Sequence, residues 1–311
     1  MKKWIAVLLV CTLLLLCGCE KTTDRVRIAT LMGPTGMGMV KMMEEDSGRY
    51  EFTVASSPDQ VVSAVISGSV DIAAVPVNLA SVLYQKTEGA VQALAVNTLG
   101  VLYILENGDT VHALSDLEGK TLYATGQAAT PEYVLNYLLA QNGLEGKVNV
   151  TYLAEHSELA TQMRIGDVVL GMLPEPNVTS VLMGNDSMRI ALDLTEEWGK
   201  VSDEDLVQGC IIVNRDFAEK HPQAVQTFID DCTDSVAYVL QNPTEASAMM
   251  ERQGIVPKAA IAQAALPNCN ICMATGADMK RELGNMLEVL YQADPTSVGG
   301  ALPDDAFYYE K

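Results

Sequence analysis

Apolar residues recur along this chain with two periods, and the alternation between them lays out its plan. Val26 to Leu31 is a short β-type run, after which Gly33-Pro34-Thr35-Gly36-Met37-Gly38 turns the chain into a methionine-rich helix expected from about Thr35 to Glu45. Tyr50, Phe52 and Val54 alternate with polar neighbours, the period of a strand with one covered face. Val61, Val62, Val65 and Ile66 then follow helical spacing behind Ser57-Pro58-Asp59, and Gly68 stops them. Asp71 to Val75 reads as a buried strand. Pro76-Val77-Asn78 opens a helix toward Lys86 with Asn78 as its expected N-cap. Two extended runs follow, Val91 to Val96 and Val101 to Leu105.

From Ser115 the same order begins again. Lys120 to Thr125 predicts a strand, Gly126-Gln127-Ala128-Ala129 a turn, and Thr130-Pro131-Glu132 a helix start with cap, proline and early acid in their favoured places. Val148 to Leu153 is a strand, Ser157 to Ile165 a helix stopped by Gly166, Val168 to Leu173 a strand, and Pro174-Glu175-Pro176-Asn177 opens another helix. Two α/β lobes therefore share one plan. After Val207 to Val213 the pattern is almost purely helical, over Pro222 to Gln241, Thr244 to Arg252, Lys258 to Ala265 and about Asp278 to Gln292, and these helices are expected to pack back on the first lobe. The chain would cross between lobes near Asn97 to Leu102 and near Gln208 to Ile212.

Strands alternating with helices predict mainly parallel sheets, in which ligands lie beyond the carboxyl ends of the strands. The turns at Gly33, at Pro76 to Asn78, at Gly126 to Thr130 and at Pro174 to Asn177 all belong to those ends and would converge on a cleft. The Gly33 loop and the Gly126 to Thr130 turn are expected to face each other, each offering unpaired backbone N–H groups of a helix start. Gly33 to Gly38 is neither a Walker loop nor a dinucleotide fingerprint, because no Gly-Lys-Ser/Thr follows and its glycines stand in a different order.

The 311 residues suit two domains of ordinary size, and a net charge of −20 argues against nucleic acid or an anionic membrane surface as partner. At the N-terminus, Lys2 and Lys3 precede an apolar run from Trp4 to Leu16, too short for the roughly 20 residues of a spanning helix. Residues 1–18 read as a signal peptide. Leu16-Cys17-Gly18-Cys19 resembles the bacterial lipobox, which makes Cys19 the lipid-modified first residue of the mature chain and residues 19–25 its tether; the other reading is an ordinary secretory signal. A lipid at Cys19 would hold the protein on the outer face of the cytoplasmic membrane.

Little in the chain suggests catalysis. Cys269-Asn270-Ile271-Cys272 fits a local disulfide or two free thiols; a zinc site would need further ligands, and no second C-x-x-C accompanies it. His112, His156 and His221 are scattered and read as surface residues. No nucleophile–histidine–acid order is present, and no cofactor or metal is expected.

Several stretches in order resemble the solute-binding lipoproteins of ABC importers, in the group that binds sulfonates, nitrate, taurine and thiamine precursors. They are the strand Val26 to Leu31 with its Gly-Pro-Thr-Gly loop, Gly68-Ser69-Val70-Asp71-Ile72-Ala73, Asp116-Leu117-Glu118-Gly119-Lys120-Thr121, Leu173-Pro174-Glu175-Pro176, and Asn214-Arg215 through His221-Pro222 to Asn242-Pro243-Thr244-Glu245-Ala246. The resemblance implies a two-lobed α/β fold of the type II periplasmic-binding kind, with residues 26–100 and 212–311 in lobe 1, residues 101–211 in lobe 2, and two hinge crossovers. It implies a monomer without enzymatic activity that closes on a small polar or anionic solute and delivers it to a membrane permease with its ATPase. By position, the implied ligand contacts are Pro34, Thr35, Gly36, Met37, Val77, Asn78, Gln127, Ala129, Thr130, Glu175 and Gln208. None of these loops contains Arg, Lys, Trp or Phe, so neither a strongly held sulfonate nor a stacked ring follows, and Glu175 either meets an ammonium or N–H donor of the ligand or simply sits in a helix's first turn. The rivals are an enzyme on the same fold, of the pyrimidine-precursor or menaquinone-pathway type, and a lipoprotein sensor or adhesin.

Overall fold

The computed structural model describes residues 25–45 and 47–310, so the predicted signal segment, Cys19 and all but the end of the predicted tether lie outside the described residues. The described strands are β1 (Val26–Leu31), β2 (Tyr50–Ala55), β3 (Ile72–Pro76), β4 (Val91–Thr98), β5 (Leu102–Asn107), β6 (Thr121–Ala124), β7 (Asn149–Tyr152), β8 (Leu170–Pro174), β9 (Met188–Asp193), β10 (Gly209–Asn214) and β11 (Ile271–Thr275). They form a six-stranded sheet ordered β11-β4-β10-β3-β1-β2 and a five-stranded sheet ordered β7-β6-β8-β5-β9.

The repeated plan read from the sequence is visible in this topology. Omitting β11, the first order becomes β4-β10-β3-β1-β2, and read backwards it matches β7-β6-β8-β5-β9 strand for strand. In each sheet one strand comes from across the molecule: β10 lies between β3 and β4, and β5 lies between β8 and β9. Those inserted strands correct the expectation of mainly parallel sheets. β2-β1-β3 and β7-β6-β8 are parallel, but β10 runs antiparallel to both its neighbours and so does β5. A strand that enters from the other lobe arrives at the carboxyl ends of its neighbours and must run against them, so each sheet is mixed.

Burial follows the same logic. β3 and β4 are covered on both faces and read as nearly continuous apolar runs, whereas β2 exposes alternate residues. One apolar cluster continues from Val75, Val77 and Leu83 of lobe 1 to Leu102, Leu122 and Val134 of lobe 2, and two further clusters cover the opposite faces of the sheets. The C-terminal helices correct a second expectation. Gly276–Ala293 packs on β4, β11 and the helix Val77–Lys86, but also on the lobe 2 helix Thr130–Gln141, and Ala259–Ala265 packs on Asn177–Leu182 of lobe 2. They strap both lobes. Nor is the segment purely helical: Ile271–Thr275, the end of the Cys269-x-x-Cys272 stretch, pairs with β4 as an edge strand. The cysteine there and Cys210, Cys232 and Cys269 are free thiols.

The first crossover, residues 99–101, is tightly held. Asn270 donates through Nδ2 to the Gly100 carbonyl at 2.6 Å, and Leu99 N–H donates to the Asn270 carbonyl at 3.1 Å. A Cβ on Gly100 would run into the hydroxyl of Thr195 and lie 2.9 Å from its methyl group. Gly100→Ala is therefore expected to cost about 1–2 kcal/mol through overpacking, read as a lower urea midpoint at unchanged slope.

Candidate functional site

The carboxyl ends of β1, β3, β6 and β8 each lead into a turn and a helix, and these four turns meet along the seam between the sheets. The contacts across the seam pair them differently from the sequence expectation. The Thr130 hydroxyl donates to Asn78 Oδ1 at 3.1 Å and lies 3.5 Å from the Asn78 N–H, and Asn78 Nδ2 donates to the Ala128 carbonyl at 3.4 Å. The Gly126–Thr130 turn thus faces the helix Val77–Lys86, and the Gly33 loop faces the turn after β8, where a Cβ on Gly33 would stand 3.6 Å from Pro176 Cδ. Asn78 is not an N-cap: the helix begins at Val77, and the Asn78 side chain spans the seam and reaches the Ser297 carbonyl at 3.3 Å.

Several predicted residues do other work than that read from the sequence. The helix after β1 is two pieces, Pro34–Met37 and Val40–Glu45. Gly36 N–H and Met37 N–H both donate to the Gly33 carbonyl, at 3.0 and 3.1 Å, so the loop's N–H groups are largely used within the turn. Met37 is fully buried in the core of lobe 1, as Val77 is in the shared core. Gly36 is a packing residue, with room for no side chain beside the Leu31 carbonyl. Gln127 is exposed, Pro34 half-buried, and Ala129 buried with its N–H on the Gly126 carbonyl.

What the seam does gather is a set of buried polar groups. Thr35 offers its carbonyl to Asn97 Nδ2 at 3.0 Å and to the Thr30 hydroxyl at 3.4 Å. Gly209 lies against Thr35, Asn97 and Thr98, since a Cβ there would come within 2.8 Å of Thr35 Cγ2. Gln208 is fixed by its backbone between β3 and β4, its N–H on the Thr98 carbonyl at 2.9 Å and its carbonyl accepting from Val77 N–H at 3.1 Å. Its Nε2 is enclosed with no hydrogen-bond partner. Glu175 is 1% exposed, accepting from Thr179 N–H at 3.0 Å and from the Thr179 hydroxyl at 2.9 Å with the Asn268 amide beside it. Burial pushes its carboxyl above the ordinary range, only partly opposed by those donors.

Sequence reasoning missed Thr30, Asn97, Thr98, Tyr103, Asn268 and Thr179. Asn97 fell in the predicted crossover, but Tyr103 sits inside an apolar strand run and carries no local signal; it lies on β5 opposite Leu173, two residues from Glu175. His156 also corrects its surface reading. It starts the helix His156–Ile165, half-buried, with Nδ1 2.6 Å from the Thr125 hydroxyl just after β6, and burial lowers its pKa to about 4, so the imidazole is neutral at pH 7. Among the described residues no group of three or more His, Cys, Asp and Glu could hold a metal ion.

Two equivalent sheets that exchange a strand, with carboxyl-end turns facing each other across a polar seam, define a two-lobed α/β protein of the periplasmic-binding fold. The chain belongs to the family described as NMT1/THI5 like, whose profile matches residues 50–246. Similar solved structures include an ABC transporter from Parabacteroides distasonis, 25% identical over 92% of this chain and 99% of that one with a TM-score of 0.78. Two others are the periplasmic aliphatic sulphonate binding protein SsuA from Escherichia coli (15% identity, 92% of each chain, TM-score 0.72) and the alkanesulfonate-binding protein SsuA from Xanthomonas axonopodis pv. citri bound to MOPS (16%, 86% and 93%, 0.67). No curated protein matches the chain in sequence.

Proposed function

We propose that this protein is the solute-binding component of an ABC importer, taking one small polar molecule at the seam between its lobes and presenting it to a membrane permease. The observation that carries this reading is the meeting of strand-end turns from two equivalent sheets around buried polar side chains, of which Gln208 keeps an amide nitrogen without a partner. Thr35, Asn78, Thr130, Glu175 and Gln208 are the proposed contacts; Gly36, Met37 and Val77 shape the wall behind them. The lobes, one on the six-stranded sheet that includes all of β10 and one on the five-stranded sheet, move apart about the two crossovers to admit the solute. The protein works as a monomer without a cofactor, catalyses no reaction, and is held outside the cytoplasmic membrane by lipid at Cys19. Among the described residues no helix is long and apolar enough to cross a membrane.

Native mass spectrometry of freshly purified protein tests this reading. A non-covalently carried small molecule is the expected result, and a seam that stays empty across a broad metabolite panel would favour a sensor or adhesin. Asn78→Ala should accelerate solute loss about tenfold, because it removes the hydrogen bonds that bridge the lobes while leaving the sheets untouched. The same variant should show a larger radius of gyration by X-ray scattering with solute present.

A further inference from the structure

Four acids are buried among the described residues: Asp71, Glu106, Glu175 and Glu197. Three have a cation within reach. Asp71 pairs with Arg27 at 2.5 Å, Glu106 with Arg189 at 2.6 Å and Glu197 with Lys200 at 2.6 Å. Glu106 shows what such pairing does: burial raises its carboxyl, but Thr110, Val111 and Arg189 outweigh that and hold it below the usual range. Glu175 is the most enclosed of the four and has only the neutral donors of Thr179 and Asn268. A carboxylate taken out of water without a counter-charge is costly, and the same protein avoids that cost at its three other buried acids.

The surroundings continue the pattern. Tyr103 is 6% exposed, and burial first and then the charges of Asp193, Glu175, Cys269 and Glu196 raise its hydroxyl above the ordinary range. Its ring packs in the apolar cluster of Leu159, Met163, Leu173 and Val178, so the wall on that side of Glu175 supplies no cation either. An anionic solute such as a sulfonate would meet an uncompensated acid here. Gln208, on the lobe 1 side of the seam, retains an enclosed N–H donor that suits an acceptor atom on the same molecule.

We infer that the solute carries a protonated nitrogen, which pairs with Glu175, together with a hydrogen-bond acceptor for Gln208. This rests on the proposed solute-binding role and sets its substrate class: small organic cations or zwitterions rather than sulfonates.

Isothermal titration of the mature protein at neutral pH, after unfolding and refolding to strip carried solute, decides between the two. The probes are ethanolamine and γ-aminobutyrate on one side, ethanesulfonate and butanesulfonate on the other, all at millimolar concentration. Binding of an amine-bearing probe and not of the sulfonates is expected. Glu175→Gln, which keeps the Thr179 hydroxyl paired, should weaken that binding roughly 30-fold or more while its circular dichroism stays as in the wild type and its solute-free melting temperature is no lower. Binding by sulfonates alone, or amine binding indifferent to Glu175→Gln, overturns the cation assignment and leaves the solute-binding role standing. Binding by none of the four overturns the assignment, and an empty seam in native mass spectrometry as well would remove the role itself.

Discussion

Gly36→Val is expected to lower the global stability of this protein by about 3 kcal/mol, and any loss of solute binding will follow from that. From the sequence, Gly36 reads as part of a ligand cradle whose enlargement would block binding alone. In the fold, a Cβ at this position stands 2.5 Å from the Leu31 carbonyl oxygen, 2.9 Å from Ile255 Cδ1 and 3.3 Å from the Thr30 hydroxyl. The nearest of these is backbone in β1 and cannot rotate away, and Ile255 is 1% exposed, so both must shift. Even alanine shares the clash, and valine adds two methyl groups to it. Thr35→Ala next door provides the contrast, because the Thr35 contacts across the loop run through its backbone carbonyl. It should change stability by less than about 1 kcal/mol. Urea unfolding followed by tryptophan fluorescence separates the two variants, and a wild-type midpoint for Gly36→Val would sink the packing argument.

Acidification should cost stability in a window set by His156. The folded pKa of this residue is lowered to about 4 by burial, and its unfolded value is about 6.5. Between those values the unfolded chain binds a proton that the folded one refuses, so stability rises with pH across the window and is lost as pH falls through it. The full effect is roughly 3 kcal/mol, with the larger part of it developed by pH 5. Glu44, Glu106 and Asp116, whose carboxyls are held low by their donors, act in the same direction but only below the ordinary carboxylate range. Glu175 acts in the opposite sense: its raised carboxyl takes a proton in the folded state first, so it disfavours folding as pH rises through its folded value. His156→Gln, which can still pair with the Thr125 hydroxyl, should flatten the stability profile between pH 6.5 and 5. An unchanged slope in that variant would mean that the imidazole is not the group responsible.

The fold was legible at the level of element and order. Apolar period, proline starts and glycine stops mark most of β1 to β8 and the helices between them, because those signals act within a few residues of each other. The remaining features are nonlocal. Ile271–Thr275 forms a strand because β4 presents an open edge to it, and β10 and β5 are antiparallel because each enters a sheet built by the other lobe's neighbours in sequence. The site divides in the same way. Asn78, Thr130, Glu175 and Gln208 are proposed from their places at strand ends, yet Asn78 bridges to the Gly126–Thr130 turn and does not cap its helix. Thr30 and Tyr103 carry no local signal, since a polar side chain inside an apolar run looks the same whether it faces a core or a seam.

By itself, then, the sequence determined the doubled α/β plan, the strand-end position of the candidate turns and their lack of Arg, Lys, Trp and Phe, all of which depend on local pattern and composition. Only the tertiary structure decided which turns face each other, which glycine is packing and which histidine pairs with the Thr125 hydroxyl. It alone revealed that Glu175, of four buried acids, is the one left without a cation, because burial and charge pairing depend on residues far apart in sequence.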